Sequence, residues 1–441
     1  MSGATLSRER AVRGPFRNWS GAVEFMPASL AEPANPAQLA ALIRAVGARG
    51  GKLRVRGSGH SFVPLVETGD VLLSVDRLSG VEDSDAESAT VWAGTTLAAL
   101  GATLSARGLG MYNLGDINKQ TLGGALSTGT HGTGETLGSI SSQARALTLV
   151  LASGEMRSCS AERDPELFDA ARVSLGALGV IAKARVAVRS AYRLKLVKYT
   201  LDLDACLAQC EALAARHRHF EFYWFPHTRL AGLKAMDDSD EPESKRGLNA
   251  LGELLIENGA LGLISRIARF RPAWAPALSR LIAWSMKGDE GTMVADCHRA
   301  FSSPRLVHFH ELEYALPRAH GPDALRELAE YVDKYKVQVH FPVEYRYVKG
   351  DDIWLSPFYQ RDSVAISVHQ YVGMDYERYF RGAEAIFRRY GGRPHWGKMH
   401  TLGARELAPL YPRWDDFQRL RSALDPCGLF MNPYLERLFL S

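Results

Sequence analysis

The sequence predicts an α+β fold in two main parts, on three observations. The chain has 441 residues, more than one compact core usually serves, so two or three domains are expected. Up to about residue 193, short strands and helices intersperse without the regular strand–helix–strand alternation of a Rossmann domain. From about residue 195 the texture shifts to longer, aromatic, alternating strands: "HFEFYWFP", "LVHFHELEYALP", "KVQVHFPVEYRYV" and "SVAISVHQYV". Strands of that kind, separated by helices such as "DALRELAEYVDKYK", suit an antiparallel sheet. The expected divisions are 1–193, 194–404 and a C-terminal segment, 405–441, of helix, turn and short aromatic tail.

The elements follow in order. Strand-like "VEFMPAS" leads into "NPAQLAALIRAVGARG", where Asn35 caps a helix, Pro36 opens it and Gly47 ends it. "KLRVRG" alternates as a strand, "DVLLSVDRL" is another, and "ATVWAGTTLAALGATLSARGLG" runs from strand through a capped turn into a helix. Residues 112–138 are so rich in Gly, Thr and Asn that regular structure cannot hold throughout, and close backbone approach to something is implied. Residues 145–190 return to short strands around a loop with "DPELF". Leu248–Ala268, interrupted by Glu253, Glu257, Asn258 and Arg266, reads as an amphipathic helix pair and not a membrane span.

Composition narrows the classes. The formal net charge is +4, and no long basic run occurs, which argues against a nucleic-acid partner. Five cysteines fit a reducing compartment better than a disulfide framework, with Cys206 and Cys210 as small core side chains. "MSGATLSRERAVRGPF" has no apolar segment of a signal peptide, so the expected location is cytoplasmic. Gly392–Lys398 has the spacing of a nucleotide-binding loop, but Met399 stands where a magnesium-ligating hydroxyl is needed. "GTGETLG" is one residue too long for a dinucleotide fingerprint. His308, His310 and Glu311 look metal-like, as do His217 and His219, but lack a third convergent ligand. No metal is expected.

Two strands carry more chemistry. In "VQVHFPVEYRYV" a period of two places Val337, Val339, Phe341, Val343 and Tyr345 on one face, and Gln338, His340, Glu344 and Arg346 on the other. In "SVAISVHQY" Ser363, Ser367, His369 and Tyr371 oppose Val364, Ile366 and Val368. The polar faces fit either a solvated surface with a weak ion pair or, if the strands pair, the floor of a polar cavity.

Near the N-terminus, Gly57-Ser58-Gly59-His60-Ser61 follows a strand. Such a turn usually cradles a phosphate with converging amides, and the histidine in it is either a bystander or a reagent. This motif, "STGTHGTG" at 127–134 and "SLGALGVI" at 174–181 resemble the flavin domain of the vanillyl-alcohol oxidase superfamily. "VEYR" at 343–346, "WLSPFYQRDS" at 354–363, "RPHWGK" at 393–398 and "LDPCGLFMN" at 424–432 are similar to the aldonolactone oxidoreductases and their relatives the alditol oxidases. The resemblance spans nearly the whole chain in order. It implies a two-part FAD-binding domain (vanillyl-alcohol oxidase or PCMH type) over 1–193, a substrate-binding cap over 194–404, and a C-terminal segment returning to the FAD domain. It further implies FAD linked covalently through His60, since a neutral imidazole can add to an electrophilic carbon of oxidised flavin. Arg56, Gly57, Ser58, Gly59, Ser61 and Phe62 would form the surrounding cradle. Gly115, Asp116, Thr121, Gly123, Gly124, Thr128, Gly129, His131 and Gly132 would approach the flavin, with Gly176, Val180 and Ile181 along the nucleotide.

By the same resemblance, Glu344, Arg346 and Lys398 are the catalytic candidates, and Asp116, Ser367 and His369 the substrate-binding ones. Hydride would pass from a carbinol carbon to flavin N5. Glu344 and Lys398 would hold or deprotonate the hydroxyl, and Arg346 would stabilise developing negative charge. Two departures disfavour an alditol: Asp116 stands where alditol oxidases carry a serine, and His369 and Ser367 where they carry a Thr and a His. The implied substrate is therefore a sugar 1,4-lactone, oxidised at C2 to an ascorbate-type product, with an alditol or other polyol as the alternative. Gly115 leaves room for dioxygen, which favours an oxidase over a dehydrogenase using a cytochrome, quinone or dye.

Overall fold

The computed structural model describes residues 9–440 except 13, 245–249, 288–289 and 303–304, with the backbone alone over 250–258. The first part holds two main sheets and two short two-stranded ones. One has four strands in the order Arg10–Ala11, Ser29–Ala31, Val71–Ser74, Leu53–Arg56, its last three parallel. The Pro36–Ala48 helix makes the crossover, with Asn35 Oδ1 accepting from the Gln38 amide at 2.9 Å. It runs one residue beyond Gly47, and the chain turns only at Gly50, whose φ is +68°. Alanine and valine around Gly47 carry the helix across it, and Gly50 supplies the left-handed turn. The second sheet is antiparallel, in the order Met156–Ser160, Ala144–Val150, Val180–Ala187, Ser88–Trp92, Val81–Ser84. "DPELF" is not a loop: Pro165 opens a helix over Pro165–Ala171, preorganised by the fixed φ of proline.

The rest is dominated by one eight-stranded sheet. Its strands are β1 (Arg193–Asp202), β2 (His219–Trp224), β3 (Leu230–Ser239), β4 (Gly291–Asp296), β5 (Phe309–Pro317), β6 (Val343–Val348), β7 (Ser363–Tyr371) and β8 (Arg393–Pro394). They lie in the order β4-β1-β3-β2-β6-β7-β5-β8, every pair antiparallel. One face buries Phe220, Phe222, Leu312, Tyr345, Ile366 and Val368 under the Leu203–Arg216, Gly321–Lys334 and Glu377–Arg389 helices. The other face is polar and looks towards the first part. "KVQVHFPVEYRYV" is a strand only over Val343–Val348, because Pro342 has no N–H to donate. Gln338 and His340 therefore leave the Glu344 face, and His340 bonds Ser265 Oγ at 2.9 Å. Leu248 lies outside the described residues, and Ala250–Phe270 is one helix, not a pair. Gly259 interrupts its pattern at a cost of only about 1 kcal/mol, too little to break it.

The C-terminal stretch packs against the first strands. Leu53 N–H donates to Leu429 O at 2.9 Å, and Asn432 Nδ2 to Pro64 O at 3.0 Å. Buried Arg54 ties three segments together, donating to Leu65 O (2.8 Å), Leu175 O (2.7 Å) and Phe430 O. Burial lowers its guanidinium to about 10, still charged at neutral pH. Replacing Arg54 with Met would leave these carbonyls unsatisfied, at about 3 kcal/mol in all. Thermal unfolding should show a midpoint several degrees lower.

Candidate active site

Two cavities adjoin, one within the first part and one between it and the polar face of the large sheet. The first is lined by Gly57, Ser58, Gly59, His60 and Ser61, by Thr121, Gly123, Gly124 and Thr128, and by Gly176, Val180 and Ile181. The second is lined by Gly115, Asp116, His131, Glu344, Arg346, His369 and Lys398. Gln120 lines both, so the cavities adjoin.

The turn between Arg56 and Phe62 is built to receive an anion. Gly59 has φ +71°, a conformation that favours glycine, and its carbonyl accepts from Trp19 N–H at 2.8 Å. Among the described residues, the N–H groups of Ser58, Gly59, His60 and Ser61 donate to no protein acceptor. Beside them His60 stacks on Trp19, ring centroids 5.8 Å apart, and its buried Nδ1 has no partner. Burial, then Lys398 and Lys119, pushes this imidazole down to about 4, so it is neutral and nucleophilic at ordinary pH. Free amides, a neutral imidazole and a long cleft with apolar walls fit FAD.

The second cavity takes its wall from the pleat of the sheet. Register places Tyr223 opposite Glu344, Glu344 opposite Ser367, and Ser367 opposite Glu313. Glu221 lies between Lys234 and Arg346. Arg346 reaches Asp116 at 2.7 Å, Glu221 at 2.9 Å and Glu344 at 3.1 Å. Arg305 bridges Asp116 (3.1 Å) and Glu344 (3.4 Å), and Lys234 meets Glu221 at 2.9 Å. Burial alone would raise the Asp116 carboxyl, but Lys234, Arg346 and Arg305 hold it well below the usual range.

A second cluster completes the wall. Lys398 pairs with Glu311 and lies 4.9 Å from the Phe62 ring centre. Burial would raise the Glu311 carboxyl, yet Lys398 and His369 bring it down to about 2. His369 places Nδ1 on Pro342 O at 3.0 Å and Nε2 3.6 Å from Glu311. Glu313 accepts from Ser367 Oγ at 2.6 Å and sits 2.8 Å from His131 Nε2. Donor atoms of His131, Glu313 and His395 lie within 4.8 Å of one another. His131 already uses both ring nitrogens, on Gly132 O at 2.8 Å and on Glu313, so this trio is closed by hydrogen bonds.

Some anticipated residues stand elsewhere. Arg56 pairs with Asp76 at 2.9 Å, Phe62 belongs to an apolar cluster with Phe309, and Ser367 lies behind Glu313; none lines either cavity. Gly129 (φ +71°) ends the Leu122–Thr128 helix, and a Cβ at Gly132 would sit 2.2 Å from Leu114 O, so their glycine character serves the protein's own packing. Glu221, Lys234, Arg305, Glu313 and His395 were not anticipated, and Glu311 only as a metal-like neighbour of His308 and His310. Reading "FHELEY" and "HFEFYW" at period two would have placed Glu311 with Glu313, and Glu221 with Tyr223.

Residues 184–438 match the family "D-arabinono-1,4-lactone oxidase", and residues 27–160 match "FAD binding domain". The L-gulono-1,4-lactone dehydrogenase of Mycobacterium tuberculosis (strain H37Rv) is 38% identical over 426 residues, 96% of this chain and 98% of that one. This chain belongs to the aldonolactone oxidoreductase family. Another member, the L-gulonolactone oxidase of Scyliorhinus torazame, is 32% identical over 435 residues, again 96% of this chain and 98% of the relative. The fold is shared more widely: cholesterol oxidase from B. sterolicum superposes with a TM-score of 0.83 at 18% identity, over 98% of this chain and 97% of that one. With an FAD binding domain over residues 27–160, the cofactor of this aldonolactone oxidoreductase is FAD.

Proposed function

We propose that the protein oxidises a sugar 1,4-lactone of the L-gulono type at C2, using FAD bound in the first cavity and tethered through His60. The observation that carries this reading is the cross-strand wall of Glu344, Arg346, Glu311 and Lys398 beside the free amides of the glycine turn. Carboxylates and cations there are mutually neutralised, which suits a neutral polyhydroxylated ring better than a sugar acid. Bound FAD supplies a two-electron sink for the hydride leaving C2, and dioxygen takes the electrons on as hydrogen peroxide. Glu344 takes the proton of the C2 hydroxyl, and the Lys398 ammonium, paired with Glu311, holds the hydroxyl oxygen. Arg346, fixed on three carboxylates, presents its guanidinium to the negative charge that develops, without reorganising. Asp116 and His369 orient the remaining hydroxyls. The 2-keto lactone then tautomerises to the ascorbate-type enediol.

Dioxygen is favoured by Gly115, which brings no side chain to the second cavity. The test joins a visible spectrum with acid precipitation. Yellow colour should stay in the pellet for the wild type and pass to the supernatant for His60→Ala. In air, L-gulono-1,4-lactone should yield one peroxide per turnover and xylitol far less. Faster turnover of xylitol would transfer the reading to a polyol oxidase, and turnover with a dye but no peroxide to a dehydrogenase.

A further inference from the structure

Arg305 differs from the other cations described around the second cavity. It belongs to no strand of the large sheet, but precedes β5 and reaches the cavity from outside it. Its side chain is 34% exposed, against 10% for Arg346, 14% for Lys234 and 17% for Lys398. The other three are committed to carboxylates. Arg346 spans Asp116, Glu221 and Glu344, Lys398 pairs with Glu311, and Lys234 pairs with Glu221. Arg305 makes both of its ion pairs through one nitrogen, Nη2, and among the described residues its Nη1 and Nε meet no acceptor. A guanidinium has five N–H donors, so most of this fork is open to a ligand.

Its place beside Glu344 says what that ligand group is. Glu344 Oε2 meets Arg346 at 3.1 Å, whereas Oε1 faces Arg305 at 3.4 Å, near the limit of a hydrogen bond. Oε1 is therefore the carboxylate oxygen open to a substrate hydroxyl, and the open part of the Arg305 fork is next to it. In a sugar 1,4-lactone the carbon bonded to C2 on one side is the carbonyl carbon, C1. A carboxylate on the C2 hydroxyl and a cation on the C1 carbonyl must then be neighbours, as Glu344 and Arg305 are. Asp116 Oδ2, 3.1 Å from Arg305 Nη2, anchors the fork before any ligand arrives. A carbonyl oxygen only accepts, which suits a group that only donates.

We propose that Arg305 determines specificity by donating to the C1 carbonyl of the lactone, a group that a polyol lacks. The inference rests on the lactone reading above and names the residue that selects for it. The test pairs two ligands without a C2 hydroxyl, which cannot be oxidised there. One is the 2-deoxy analogue of L-gulono-1,4-lactone, and the other the matching 1,4-anhydroalditol, in which CH2 replaces the carbonyl. Dissociation constants would be read from perturbation of the flavin spectrum in the FAD-loaded full chain. The wild type should bind the lactone about 30-fold more tightly than the anhydroalditol, as a hydrogen bond to a charged group predicts. R305M should bring that ratio down to about threefold or less, and R305K should restore part of it. With L-gulono-1,4-lactone itself, R305M should raise KM by about tenfold or more and change kcat by less than about threefold. Both ligands are compared on one protein, so a general loosening of the site cancels from the ratio. A ratio in R305M equal to that of the wild type overturns the proposal, and so does a wild type that does not separate the two ligands. Neither result touches the lactone reading, which is decided by wild-type turnover of L-gulono-1,4-lactone against xylitol.

Discussion

Replacing Arg346 with Met is expected to lower kcat/KM by about 10²- to 10³-fold, the loss that follows removal of one preorganised donor to developing charge. The side chain does two things at once. Its guanidinium faces the second cavity, and it neutralises Asp116, Glu221 and Glu344. Burial works against its charge, but these carboxylates outweigh burial and keep it protonated. Removing it leaves three buried carboxylates to Lys234 and Arg305, which should cost about 3–5 kcal/mol of stability. Arg346→Lys separates the effects. An ammonium restores a charge but not the planar fork that spans three carboxylates. Thermal unfolding should recover in the Lys variant well beyond flavin reduction rates measured in anaerobic stopped flow. Equal recovery of both would make Arg346 a purely structural ion-pair partner.

How much of this site was legible in the sequence depended on the range of each signal. The glycine turn with His60 is local, and it stood out from one short stretch. Glu344, Arg346 and His369 emerged from the two-residue period of their own strands. That period also predicted an apolar side, and Val343, Tyr345, Ile366 and Val368 are buried there. The same period was available for Glu311, Glu313 and Glu221. Beside Glu311 and Glu313, His308 and His310 mimic metal ligands, but their rings pack on Trp19 and Tyr376. Register is what joins the pieces, and no single strand contains it. Glu311 meets His369 only because β5 and β7 pair, and Arg305 reaches Asp116 across 189 residues. The false strand at Gln338 and His340 shows the converse: period alone continued through Pro342, where the ladder cannot.

Lys398 offers a test in which the stabilities of wild type and variant respond to pH with opposite signs. Lys398→Met is expected to lower kcat/KM by about 10²-fold or more, since the ammonium that holds the reacting hydroxyl is lost. Its partner Glu311 is fully buried, and Lys398 is the largest influence opposing that burial. In the wild type the folded carboxyl sits at about 2, below an unfolded value of about 4.3. Its contribution to stability is therefore complete above about pH 4.3 and disappears as pH falls towards 2, up to about 3 kcal/mol. Without Lys398 burial dominates, and the folded pKa rises above the unfolded one. The sign then reverses: between about pH 4.3 and neutrality the folded variant binds the extra proton, and stability falls as pH rises. Denaturant unfolding at a series of pH values should show Lys398→Met losing ground to the wild type on going from pH 5 to 8, with Lys398→Met/Glu311→Gln free of that slope. Parallel wild-type and Lys398→Met profiles would mean that the ammonium does not hold the Glu311 proton off, and the pair would lose its place in the wall of the cavity.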